Sequence, residues 1–291
     1  MGRLSLKEEH MSQMRSRQSA SRVITITSGK GGVGKTTVTA NLSAALARLG
    51  KRVVCIDADI GLRNLDLILG VENRIVYDIV DVVEGRCQLA QALIRHKAYP
   101  ELYVLPAAQN RDKTAVSPAQ MVRITDELRP QFEFILIDSP AGIERGFKNA
   151  VAPADEVLIV TNPEVSAVRD ADRIIGMIEL LEKRPPSRLI INRVKAEMVK
   201  RGEMLSADDV TDILSIQLIG VVPEDETVLI AGNRGMPEPN SRSGQAFAEI
   251  ARRLLGEDVP HTHTNASQGF FRRLTRLFTG AGARQGSVFD E

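Results

Sequence analysis

The chain has 291 residues, 43% of them hydrophobic and none tryptophan, enough to bury a sizeable core as one large α/β domain or two small ones. Lysine and arginine (38) nearly balance aspartate and glutamate (37), so the global basic field of a non-specific nucleic-acid binder is absent and any basic site is local. Cys55 and Cys87 lack C-x-x-C spacing, which argues for reduced thiols in a cytosolic protein. No run approaches the ~18 apolar residues of a spanning helix, and residues 1–20 lack a signal peptide's core.

In chain order, residues 1–20 read as a disordered leader and residues 21–256 as one domain. Apolar runs of strand length recur at Val23 to Thr27, Val53 to Ile56, Leu102 to Leu105, Phe134 to Ile137, Val157 to Val160, Leu189 to Ile191 and Leu218 to Val222. Helical spacing marks Thr37 to Leu49, Ala167 to Leu181, Ala207 to Leu214 and Gln245 to Leu255. Continuous rather than alternating apolar strands, separated by helices, predict a single doubly wound α/β domain with a mostly parallel sheet. Residues 257–268 read as a flexible linker, 269–279 as an amphipathic helix and 280–291 as a disordered tail.

The segment Gly29-Lys30-Gly31-Gly32-Val33-Gly34-Lys35-Thr36 satisfies G-x-x-x-x-G-K-[ST] between a strand and a helix, the context that a P-loop of an NTPase requires. Its glycines let successive N–H groups point at phosphate oxygens, and the helix that follows presents its N-terminus to the anion. Lys35 would contact the β and γ phosphates, and the Thr36 hydroxyl would be a ligand of Mg2+. The bare motif does not explain Lys30, which in isolation would be a solvated surface lysine.

With Thr37 added, this loop resembles the deviant Walker A motif of the MinD/ParA class of ATPases. The resemblance implies an ATP-dependent homodimer in which Lys30 reaches the partner's phosphates, so that hydrolysis depends on dimerisation. It runs from about Arg22 to Leu255 and includes Asp57-Ala58-Asp59-Ile60-Gly61-Leu62-Arg63-Asn64-Leu65-Asp66, Asp138-Ser139-Pro140-Ala141-Gly142, Thr161-Asn162-Pro163-Glu164-Val165 and Pro223-Glu224-Asp225.

Asp57, Asp59 and Asp138 end or follow strands, and ligands of open α/β sheets gather at those ends. Asp138 takes the Walker B role, Asp57 assists at the metal and Asp59 positions the attacking water; any one alone could be a turn residue. The Asn-Lys-x-Asp guanine motif is absent. In this class Asn192 and the backbone near Pro223 would border adenine.

In the tail, Phe270, Phe271, Leu274, Leu277 and Phe278 fall within an arc of roughly 120° when wound at about 100° per residue, with Arg272, Arg273 and Arg276 outside it. Such a basic amphipathic helix suits the headgroup region of an anionic bilayer, although docking on the domain core is the blander reading. The tail resembles the membrane-targeting sequence of the division-site branch of the class, which implies reversible peripheral attachment to the inner face of the cell membrane. The same resemblance implies MinC and MinE as partners and no specific nucleic acid. A ParA-type DNA-partitioning ATPase is the alternative.

Overall fold

The computed structural model describes residues 21–112, 114–142 and 145–261. The strands are β1 (Arg22–Thr27), β2 (Val53–Asp57), β3 (Ile94–Arg95), β4 (Leu102–Leu105), β5 (Phe134–Asp138), β6 (Glu156–Thr161), β7 (Ser187–Val194) and β8 (Gln217–Pro223). The helices are α1 (Lys35–Arg48), α2 (Leu65–Ile68), α3 (Ile79–Val83), α4 (Leu89–Ala92), α5 (Pro118–Leu128), α6 (Arg145–Val151), α7 (Val165–Glu179), α8 (Ala196–Arg201), α9 (Ala207–Leu214), α10 (Glu226–Asn233) and α11 (Arg242–Leu254), with a 3-10 turn at Glu72–Arg74.

The strands form one sheet in the order β3-β4-β2-β5-β1-β6-β7-β8, parallel throughout except for the two-residue antiparallel edge β3. Every residue of β2, β5 and β6 is buried, the consequence of helices on both faces. On one face Val38, Leu42 and Leu46 of α1 and Phe247, Ile250 and Leu254 of α11 pack on Ile24, Ile26 and Leu136. On the other, Met121, Ile124 and Leu128 of α5 cover Val23, Val54 and Ile135, while α7 and α9 cover Val157, Ile159 and Leu189. Burying each such side chain stabilises by roughly 1.5–3 kcal/mol, so a polar residue at Ile135 or Leu136 would open one of these layers.

β1 lies between β5 and β6, and the chain crosses over it in passing from β5 to β6. This is the point where the winding reverses, and it opens a crevice at the C-terminal ends of the central strands. The opposite end of the sheet carries the exit of the chain. Arg22 Nη1 donates to the carbonyl of Leu254, and Arg253 Nε donates to Val259 at 2.9 Å. The first residues of the expected linker are therefore fastened to α11. The helix expected at 269–279, the leader 1–20 and the tail 280–291 lie outside the described residues. No described helix is long and apolar enough to cross a membrane.

Candidate nucleotide site

The Gly-rich loop leaves the C-terminal end of β1 and runs directly into α1, whose first residue is Lys35. Two of its glycines are dictated by their surroundings. A Cβ on Gly29 would sit 2.1 Å from the carbonyl oxygen of Asp170 in α7, and Gly34 caps α1 at φ +96°, a left-handed conformation that L side chains rarely adopt. Gly34 has no side chain to cap the helix, so the leading N–H groups and the positive helix end both face the loop, as phosphate binding requires.

Lys35 is only 8% exposed; burial lowers its pKa, against the opposing pull of Asp138 and Asp59. Asp57 and Asp138 stand side by side in register on β2 and β5, both buried. Burial, reinforced by the charge of Asp138, pushes Asp57 up to about 8, although its oxygens accept from the amides of Asp59 at 3.0 Å and Leu65 at 3.3 Å. Burial pushes Asp138 up to about 6, opposed by the Thr36 hydroxyl, by Lys35 and by Thr39, whose Oγ1 donates to it at 3.2 Å.

Thr36, Asp57 and Asp138 form an all-oxygen donor set that suits a hard divalent cation, and a cation there would relieve both raised carboxylates. Among the described residues no group of three or more His, Cys, Asp or Glu could cage an ion alone. Mg2+ usually completes its shell with phosphate oxygens and water. Asp59, half-buried, lines a crevice of about 20 Å3 with Ile60, Pro140 and Ala141, room for a single water.

Lys30 lies apart from this cluster. Its Nζ is 3.2 Å from Ser166 Oγ and 3.5 Å from Glu164 Oε2 at the start of α7, with the side chain 42% exposed. In the single chain, α7 holds it at the surface.

Asn192 and Pro223 line a cleft of about 530 Å3 together with Thr37, Leu67 and Asp225, continuous with the phosphate loop and large enough for a nucleoside. Its far wall is braced: Asp225 accepts from Thr227 N at 3.0 Å and Ser243 N at 3.1 Å, and Ser243 Oγ donates to the Pro223 carbonyl at 2.9 Å. A second groove of about 450 Å3 also borders Arg193, with Glu164, Glu203 and Glu224 in its lining, but none of residues 29–37 and neither Asp57 nor Asp138 lines it.

The structure places the loop Gly29, Gly31, Gly32, Val33, Gly34, Lys35 and Thr36 beside Asp57 and Asp138, with Asn192 and Pro223 on the adjoining cleft, while Lys30 points away from them to Glu164 and Ser166. Phe270, Phe271, Arg272, Arg273, Leu274, Arg276, Leu277 and Phe278 fall outside the described residues. Sequence reasoning misses Thr39, Glu164, Ser166 and the carbonyl of Asp170. Thr39 has a local signal, since it shares a helix face with Thr36. Glu164 falls in the segment Thr161 to Val165 that carries part of the family resemblance, but nothing local in the sequence tells that it, Ser166 or the Asp170 carbonyl meets a loop more than a hundred residues away.

Residues 24–238 match the family model described as the CobQ/CobB/MinD/ParA nucleotide binding domain. The septum site-determining protein MinD of Synechocystis sp. is 55% identical over 264 residues, 89% of this chain and 99% of that one. Among solved structures, the MinC:MinD cell division protein complex of Aquifex aeolicus superposes with a TM-score of 0.77 at 50% identity, covering 84% of this chain and 99% of that one. The septum site-determining protein MinD of Pyrococcus horikoshii, complexed with Mg-ADP, gives a TM-score of 0.73 at 31% identity, covering 82% of this chain and all of that one.

Proposed function

Because the chain belongs to the CobQ/CobB/MinD/ParA family of nucleotide-binding proteins, we propose that it is the ATP-hydrolysing switch of a division-site selection system. Its ligands are ATP and Mg2+, in keeping with the Mg-ADP held by the Pyrococcus relative. Lys35 and the leading N–H groups of α1 hold the phosphates, and Thr36, Asp57 and Asp138 would hold the magnesium. Bound there, Mg2+ supplies neutralisation of phosphate charge. Asp59 positions the attacking water.

Lys30 carries this reading. Its partners, Glu164 and Ser166, hold it at 3.5 and 3.2 Å on an exposed surface, where an ion pair contributes little and is readily exchanged. In an ATP-closed homodimer it would leave them for the phosphates of the other chain, so that turnover waits on dimerisation. Each chain's segment 269–279 binds an anionic membrane weakly, and pairing two of them converts weak contacts into attachment. The cytoplasmic protein then becomes peripheral on the inner face of the membrane and recruits MinC to block septum formation at wrong sites; MinE-stimulated hydrolysis releases it. A MinC:MinD complex is known for the Aquifex relative.

Co-sedimentation with anionic liposomes tests the switch. Pelleting is expected with ATP, not with ADP, and is expected to vanish in Phe271→Glu. Equal pelleting with both nucleotides would sink the proposal, and ATP-dependent, salt-sensitive retention on DNA would favour a partitioning ATPase instead.

A further inference from the structure

We propose that Asn192 is a strut of the phosphate loop: a positioning residue that sets the loop's shape before any nucleotide arrives, besides walling the base cleft. This role presupposes the ATP-switch reading above and adds to it a cause for the loop's affinity.

Asn192 Nδ2 donates to the backbone carbonyl of Val33 at 2.8 Å, across 159 residues of sequence. A carbonyl can only accept, so the amide nitrogen must face Val33, and the orientation of the carboxamide is fixed. The same nitrogen lies 2.5 Å from where a Cβ on Gly34 would be. One side chain therefore bears on two consecutive loop residues, immediately ahead of Lys35 and Thr36.

The backbone that delivers Asn192 is unusual. The pairing of β7 with β8 shifts register between Ile191 and Val194, and Arg193 within that irregularity holds φ +56°. A non-glycine residue adopts that conformation rarely and keeps it where the surroundings impose it. The result is a buried Asn192, 5% exposed, aimed at the loop, while Arg193 stands at the surface between the two grooves.

A loop with glycine at 29, 31, 32 and 34 has many conformations to lose when its N–H groups converge on phosphate. Tying Val33 to β7 removes much of that freedom in advance, which strengthens binding by preorganisation. The contact falls on the phosphate half of the site, so its loss should weaken ligands that have no base at all. A residue that only walls the base cleft would leave those ligands untouched.

The full-length chain and its Asn192→Ala and Asn192→Ser variants are compared in two ways. Amide order parameters of Val33 and Gly34 in the nucleotide-free protein are expected to fall from about 0.85 to below about 0.6 in Asn192→Ala, with those of the core amides unchanged. Calorimetric titration is expected to show the Kd for Mg-ATP and for base-free Mg-tripolyphosphate rising by a similar factor, ~3- to 10-fold. Asn192→Ser, which keeps a shorter donor, should fall between, and it serves alone if the alanine variant does not fold. Weakened ATP binding with tripolyphosphate affinity and loop order at wild-type values would overturn the strut. The order parameters need no ligand and decide alone if tripolyphosphate binds too weakly to titrate. If the wild-type chain bound no ATP, the switch reading itself would fail; if it binds ATP and the loop is indifferent to Asn192, only the strut fails.

Discussion

The two ends of the sheet handle charge in opposite ways. At the C-terminal ends of the strands carboxylate faces carboxylate: Asp57 stands beside Asp138, both buried and both raised, with Lys35 against them. At the N-terminal ends carboxylate faces arginine. Glu156 is gripped by Arg22 and Arg188, and Asp155 by Arg129 and Lys183. Burial pushes Asp155 up, but hydrogen bonds from Arg129 and the Val23 amide outweigh it and hold the carboxyl below its ordinary range. The first arrangement costs stability in the free chain and is relieved by a ligand; the second is complete in itself and fastens β1, β6, β7 and the exit of α11. Function and stability are thus served by the same residue types, separated by the length of a strand.

Substitutions at the two ends should sort accordingly. The largest effect is expected from Asp59→Ala: kcat for ATP falls by about a thousandfold while nucleotide Kd stays near wild type, as steady-state kinetics and calorimetry would show. Hydrolysis at the normal rate would remove Asp59 from the water-positioning role. Lys35→Gln should raise the Kd for Mg-ATP by about a hundredfold through loss of a charge-assisted contact. At the other end, Glu156→Gln should leave Kd and kcat alone but lower unfolding stability by about 2 kcal/mol in urea titration, a figure reduced from the fully buried case because Arg22 is partly exposed. A change in nucleotide affinity there would break the contrast between the ends.

The pH dependence of stability separates the ends as well, and the two predict opposite slopes. Asp57 is raised in the fold from 3.8 to about 8, so the folded metal-free chain binds more protons than the unfolded chain between those values, and stability falls as pH rises through that window. Saturating Mg-ADP should flatten this slope. Asp155 is lowered, so its contribution is present above the unfolded value of 3.8 and is lost as pH falls through the folded value. Thermal melting across pH, with and without Mg-ADP, reads both.

What the sequence reveals follows the range of the interaction. The seven long strands are legible because two buried faces leave continuous apolar runs such as Phe134 to Ile137, and the crevice follows from their alternation with helices. Edge strand β3, two residues long, and the short helices α2, α3 and α4 are too brief to establish a period. The phosphate loop is contiguous and declares itself. Asn192 could be placed beside the base cleft, but its bond to Val33 depends on how β7 is irregular against β8, which no local pattern encodes. The resting partners of Lys30 are hidden for the same reason, 134 and 136 residues further along.

The central claim is that Lys30 acts on the other chain's phosphates. Lys30→Ala and Asp59→Ala should each be nearly inactive, and mixing them tests the claim most directly. In a heterodimer, the site that retains Asp59 receives its lysine from the Asp59→Ala chain, so the mixture should recover a substantial fraction of wild-type ATPase activity at protein concentrations that favour dimers. A mixture no more active than the sum of its two components would contradict the account.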